Sequence, residues 1–155
     1  MFLPFSSLVG ETTQEPGNEY LHSLTSQENY EMRIDLIDFD GNTAFAEYKE
    51  FAIGDESSKF KLIVNEYHGT AGNRMEHHKS HGFSTKDSDN DNYIGHCATD
   101  YPGVWWFNKC VTADLKSQYF LKTPDAQHRG VYWRAWKRAN YSLKKSLMMI
   151  RRVSI

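Results

Sequence analysis

The sequence predicts an α+β fold in which a central antiparallel sheet carries a loop-rich subdomain. Three observations predict it. Apolar Tyr30, Met32, Ile34 and Leu36 alternate with Glu31, Arg33 and Asp35, the period-two pattern of a half-buried strand. Asp40-Gly41-Asn42 follows, and an Asp-Gly pair between apolar runs favours a hairpin. From residue 69 to about residue 128 the chain is rich in Gly, Asn, Asp, Ser and His. A loop region that long inside one domain is usually functional or stapled.

The remaining elements follow in chain order. Residues 1–20 read as a poorly ordered N-terminal remnant, with Pro4 and Pro16 as breakers. Residues 21–28 form a short helix candidate. Residues 44–52 return from the hairpin as a second strand carrying Phe45, Tyr48 and Phe51. Gly54, Asp55 and Glu56 with Ser57 and Ser58 turn the chain again. Phe60, Leu62 and Val64 alternate with Lys59, Lys61 and Asn65 as a third strand. Tyr141, Leu143, Leu147 and Met149 predict a closing strand, with Lys144 and Lys145 interrupting the alternation. The sheet part is thus expected over about 21–68 and 141–153, and the loop part over about 69–140.

At 155 residues the chain is one domain or a large part of one. Its apolar fraction is 39 %, below the usual range of about 45–50 %. Aromatic residues make up 14 %, so the core leans on rings whose polar tips need partners. The net charge of −2 argues against a general nucleic-acid binder. The charge is nonetheless uneven. After Asp114 a single acid, Asp125, faces ten Lys or Arg, while residues 11–56 are acidic. The plain expectation is that the two ends pair or stay solvated. The sharper one is a basic face for an anionic partner. No apolar run approaches the ~20 residues of a membrane span. The opening Met1-Phe2-Leu3-Pro4-Phe5 lacks the basic start and apolar stretch of a secretory signal.

The segment from Asp87 to Cys97 carries the chemistry. Asp87, Asp89 and Asp91 alternate with Ser88 and Asn90 and lead to the first of two cysteines. Ca²⁺ takes about six to eight oxygen ligands, which an irregular loop supplies from carboxylates, carbonyls and water. An EF-hand is excluded. Starting at Asp87 puts Asn92 where Gly is needed and Ala98 where Glu is needed; starting at Asp89 puts Ile94 and Asp100 there. A bare D-x-D-x-D pattern serves equally well as an Asx-rich turn with solvated carboxylates. The abutting Cys97 tips the reading toward a metal, with Cys97 and Cys110 closing the adjacent segment as a disulfide. Such a pair beside a Ca²⁺ loop favours an extracellular setting.

Other constellations carry less. His77 and His81 are four apart and could form a Zn²⁺ pair on a helix, but the flanks are loop-like, and a solvated loop is the expectation. Trp105, Trp106, Trp133 and Trp136 could stack carbohydrate; paired Trp beside a disulfide is more often core. Asn140-Tyr141-Ser142 matches the N-glycosylation acceptor, a pattern common by chance. There is no G-x-S-x-G, phosphate loop or dinucleotide fingerprint, and with both cysteines spent on each other no enzyme is expected.

Taken in order, these residues resemble the fibrinogen C-terminal (fibrinogen-related) domain family, which includes fibrinogen chains, ficolins, tachylectins, tenascins and angiopoietins. The resemblance runs through Tyr30-Glu31-Met32-Arg33-Ile34-Asp35-Leu36, Asp38-Phe39-Asp40-Gly41, Ala46-Glu47-Tyr48, Phe60-Lys61-Leu62 and Gly69-Thr70-Ala71-Gly72-Asn73. It continues through Phe83-Ser84-Thr85-Lys86-Asp87, Asp89-Asn90-Asp91, Cys97, Trp105-Trp106-Phe107-Asn108-Lys109-Cys110, Trp133 and Tyr141-Ser142. It covers roughly residues 21–150. It implies a secreted, non-enzymatic recognition domain, although no signal peptide is present. It also implies an N-terminal truncation, because the family's domain begins further upstream, and any oligomer would form through that region.

The resemblance further implies a site. The Ca²⁺ ligands would be the side chains of Asp89 and Asp91 and the carbonyls of Tyr93 and Gly95, with water completing the shell and Asp87 nearby. The Lys109–Cys110 peptide would be cis. A ligand pocket would lie between Tyr101, the Lys109-Cys110 backbone and His128. Departures weaken that pocket: Val111 stands where the family usually has His, Gln127 and Ala139 replace aromatic walls, His128 fills a place that is small in the lectin-like members, and Tyr101 stands where the fibrinogen-type peptide pocket has an acid. The expected partners are glycans, with lectin-like binding of acetyl groups, or extracellular proteins. The alternatives are a structural or signalling module that docks protein or acidic glycans through the basic C-terminal face, and a fragment without function.

Overall fold

A computed structural model describes residues 1–8, 17–101, 104–116, 131–137 and 141–154. Five antiparallel strands form the main sheet: β1 (Leu3–Leu8), β2 (Tyr30–Ile37), β3 (Thr43–Ile53), β4 (Leu62–Gly69) and, from the C-terminus, β7 (Lys145–Arg152). Their spatial order is β1-β7-β2-β3-β4. Helix α1 (Asn18–Gln27) packs beside β3. Between β4 and β7 lie a helical turn α2 (Cys97–Asp100) and a short ladder of β5 (Ala113–Asp114) with β6 (Tyr132–Trp133).

Pairing explains the inner face. Ile34 stands opposite Ala46 on one side and Met148 on the other, while Met32 faces Tyr48 and Ile150. All six are buried. The intervening positions face outward, where Arg33 reaches Asp35 at 2.9 Å and Glu47 at 2.8 Å and lies 4.3 Å above the Phe45 ring. The hairpin between β2 and β3 is held by Asp38, whose Oδ1 accepts the amides of Asp40 and Asn42 at 2.9 and 2.8 Å. Gly41 takes φ +86° there, a conformation that costs glycine little.

The predicted α+β sheet architecture is present, with four local corrections. Residues 1–20 are not uniformly unstructured: Leu3–Leu8 is an edge strand and α1 starts at Asn18, with 9–16 outside the described residues. Pro4 breaks no strand because an edge position needs no N–H from it. The third strand starts at Leu62 rather than Phe60. Lys59 and Phe60 adopt φ +60° and +54°, which turns the chain so that the Phe60 carbonyl accepts the Trp106 indole N–H at 2.9 Å. The closing strand is one residue out of phase with its prediction. Met148 and Ile150 point inward, and Leu147 and Met149 take the outer face. A single-residue slip exchanges every side chain between faces.

Charge polarity resolves into pairs. Lys137 reaches Asp38 at 2.9 Å, Arg152 reaches Glu28 at 3.2 Å, and Arg151 pairs with Glu31. The basic C-terminal part is thus spent partly on the acidic early strands.

Candidate functional site

The loop after residue 83 is tied to the tryptophan core at both ends. Ser84 and Trp105 exchange backbone hydrogen bonds of 2.9 and 3.3 Å. Trp105, Trp106, Phe107 and Trp133 are buried, as the core reading of the tryptophans requires, and Trp136 packs partly buried against them. Asn90 anchors the loop. Its amide donates to Ser84 Oγ at 2.9 Å and its side chain donates to the Phe83 carbonyl at 2.9 Å.

The aspartates then organise the backbone. Asp89 Oδ1 accepts the Asp91 amide at 3.2 Å. Asp91 Oδ1 accepts the Tyr93 amide at 3.0 Å, and its Oδ2 accepts the Cys97 amide at 2.8 Å. Asp87 instead accepts the Thr85 hydroxyl at 2.5 Å, and that bond holds its carboxyl below the usual carboxylate range. Asp87 is therefore engaged differently from the other two. His96 Nε2 meets the Thr85 carbonyl at 2.8 Å, closing the loop upon itself.

Cys97 and Cys110 form a disulfide with their Cα atoms 5.4 Å apart. Cys97 opens α2, and its carbonyl accepts the Tyr101 amide at 2.7 Å. Asp91, the disulfide and the Tyr101 amide are thus tied to one helical turn. Tyr101 is partly buried against the core, Lys109 is exposed and Cys110 is buried. No cis peptide bond occurs among the described residues, so the expected cis Lys109–Cys110 bond is corrected to trans, the form a non-proline bond favours by about 3 kcal/mol. His128, Gln127 and Ala139 lie outside the described residues, as does Asn140.

Could this loop hold Ca²⁺? The donors are oxygens only, which suits a hard cation. Asp89 and Asp91 are two apart in sequence and linked by the Asp91 amide, and Tyr93 and Gly95, which follow, are exposed residues. Each Asp91 oxygen accepts one backbone N–H and keeps a further lone pair. Among the described residues no three His, Cys, Asp or Glu side chains converge. A cation here would rest on two carboxylates with carbonyls and water, the donor set that the sequence implies.

Two residues of this subdomain escape sequence reasoning. His78, expected in a solvated loop, is fully buried. Its Nδ1 faces the Trp106 carbonyl at 2.9 Å and so carries the proton, while Nε2 accepts the amides of Thr112 and Ala113 at 3.3 Å each. Burial and the neighbouring His77 push its pKa down to about 3, so the ring is a neutral connector. His77 and His81 belong to no cluster of three or more potential metal-ligating side chains among the described residues. Asp114 is also fully buried, and its carboxylate oxygens have no hydrogen-bond partner of good geometry among the described residues. Burial raises its pKa well above the ordinary carboxylate value, against the pull of the Lys116 amide.

An antiparallel sheet bearing a disulfide-pinned Asp loop over a tryptophan core defines an α+β domain of the globe type. Residues 9–153 match the family described as the C-terminal globular domain of fibrinogen beta and gamma chains. The chain belongs to that family. It is 41 % identical over 147 residues to fibrinogen-like protein 1 of Rattus norvegicus and of Homo sapiens, a match covering 87 % of this chain and 47 % of each relative. The chain spans about half the length of the curated relatives it matches. Among solved structures, the fibrinogen-like globe domain of human ANGPTL6 superposes with a TM-score of 0.83 at 34 % identity, over 90 % of this chain and 64 % of that one. Lamprey fibrin D-dimer, in complex with the peptide ligand Gly-His-Arg-Pro-amide, superposes with a TM-score of 0.82 at 32 % identity, over 90 % and 51 %.

Proposed function

We infer that this chain is a non-enzymatic, extracellular recognition domain whose binding loop is ordered by Ca²⁺. One observation carries the reading: Asp91 caps the same helical turn that bears the disulfide and positions Tyr101. A cation at Asp89 and Asp91, with the Tyr93 and Gly95 carbonyls, would neutralise the loop's acidic charge. It would thereby rigidify the turn next to the ligand pocket. The pairing of both cysteines supports an oxidising compartment. No helix among the described residues is long and apolar enough to cross a membrane.

Ca²⁺ is expected to raise thermal stability. Binding to the folded state alone adds about 2.7 kcal/mol at a hundredfold excess over Kd. Asp89→Ala and Asp91→Ala remove most of that gain, and Asp87→Ala much less. Calorimetry in Ca²⁺ and in chelator reads the difference. Equal losses at all three positions, or no Ca²⁺ uptake, would refute the ligand set.

The pocket is assigned to Tyr101, the Lys109-Cys110 backbone and His128, and its ligand to an acetylated glycan. The aromatic walls missing at Gln127 and Ala139 weaken it. Each lost packing contact costs about 1–3 kcal/mol, so N-acetylglucosamine is expected to bind with a Kd of about 1 mM or weaker. A second reading, recognition of a protein or peptide, draws on the peptide complex of lamprey fibrin. Parallel titrations with N-acetylglucosamine and Gly-His-Arg-Pro-amide, each repeated with Tyr101→Ala, separate them. Micromolar sugar binding that survives Tyr101→Ala would place the site elsewhere.

A further inference from the structure

The fifth strand of the main sheet comes from outside the family match, which begins at residue 9, whereas β1 is Leu3–Leu8. β1 lies at the edge and runs antiparallel to β7, Leu3 opposite Ile150 and Leu8 opposite Ser146. On its other side β7 pairs with β2 over its whole length, from Tyr30 opposite Arg152 to Ile37 opposite Lys145. Lifting β1 away would leave β7 with a row of unpaired amides and carbonyls, a template for another strand.

The seat on that edge has a distinct shape. Phe5 is buried, and its ring stacks on Phe51 with centroids 5.7 Å apart. Phe51 belongs to β3, so the Phe5 ring reaches past β7 and β2 into the sheet's own core. The Arg151 guanidinium of β7 lies 4.3 Å over the Phe2 ring. Pro4 stands opposite Met149, and the register shifts between Pro4 and Ser6. Met1 and Leu3 stay 96 % and 62 % exposed, so the strand is held by its ladder and by the aromatic anchor. Main-chain pairing supplemented by one anchored side chain is the physics of strand addition.

We propose that the outer edge of β7 is a strand-acceptor site for an extended apolar peptide with an aromatic anchor, and that Leu3–Leu8 is its resident occupant. The site is separate from the Asp loop and does not depend on Ca²⁺ or on a pocket ligand.

The test uses the full chain, the full chain carrying Phe5→Arg and Ser6→Pro, and a fluorescein-labelled peptide of residues 1–9. The peptide is expected to bind the variant at least tenfold more tightly than the unsubstituted chain, whose own strand competes. A peptide carrying Phe5→Arg is expected to bind at least tenfold more weakly. Hydrogen exchange provides a second readout that does not depend on the variant folding. In the unsubstituted chain the β1 amides should exchange through an opening that leaves β2 and β3 protected. The proposal is overturned if the peptide binds neither chain, if the Phe5→Arg peptide binds as well as the natural one, or if β1 exchanges only as fast as the whole sheet.

Discussion

Replacing His78 with alanine is expected to cost about 3–5 kcal/mol of stability. The imidazole joins the turn after β4, the segment at Trp106 and the start of β5 through one donated and two accepted hydrogen bonds. Its removal leaves a carbonyl and two amides without their ring partner, and each buried orphan costs about 1–3 kcal/mol. A cavity beside Trp105, whose ring lies 6.0 Å from His78, adds to the loss. His78→Phe fills the space but keeps the orphans, so it should recover only about 1 kcal/mol. Urea unfolding followed by tryptophan fluorescence reads both variants. A loss under about 1 kcal/mol for His78→Ala would show that the ring merely fills space. The pH dependence has a definite sign. The unfolded imidazole takes up a proton below about 6.5, and the folded one resists until about 3. The contribution of His78 is therefore complete above pH 6.5 and declines as pH falls toward 3, by up to about 1.4 kcal/mol per unit.

Asp114→Asn is expected to stabilise the chain at pH 7 by about 1–3 kcal/mol. Burial holds the folded carboxyl's pKa well above its unfolded value, so over a range of pH above about 3.8 the folded state keeps a proton that the unfolded state has lost. Stability from this group is complete below about pH 3.8 and falls as pH rises through the folded pKa. At neutral pH the chain must either keep a buried acid neutral or bury a charge offset by little more than the Lys116 amide. Asparagine is neutral at every pH and matches the shape. The gap in unfolding midpoint between Asp114→Asn and the natural chain should therefore widen as pH rises from 4 to 8. His78 acts in the opposite direction over the acid part of that range, so the two variants separate the contributions. A destabilised Asp114→Asn would mean that the charged carboxylate is used.

Much of the sheet was legible because strands announce themselves locally. β2 and β3 match their predicted spans within one residue, since Met32, Ile34 and Leu36 alternate cleanly with polar neighbours. The phase of β7 was not legible. Leu147, Met148, Met149 and Ile150 are all apolar, so alternation says nothing, and pairing with β2 places Met148 beside Ile34. At the candidate site, the Asp loop and the cysteine pair stood out through spacing alone. His78 did not, because His77, His78 and His81 read alike until Trp106 and Ala113 close around one of them.

The sequence by itself determined the family, the antiparallel strands, the disulfide partners and the oxygen-rich loop. Each of these depends on residue types at short, fixed spacings, where backbone geometry leaves few choices. Tertiary structure decided which polar groups are buried, which face of β7 turns inward, and that Leu3–Leu8 completes the sheet. Those outcomes depend on residues distant in sequence but adjacent in space, such as Asp38 and Lys137 at 2.9 Å or Phe5 stacked on Phe51. Burial changes the energy of a charge or an amide by several kcal/mol, and that burial is a property of the assembled chain rather than of any local segment.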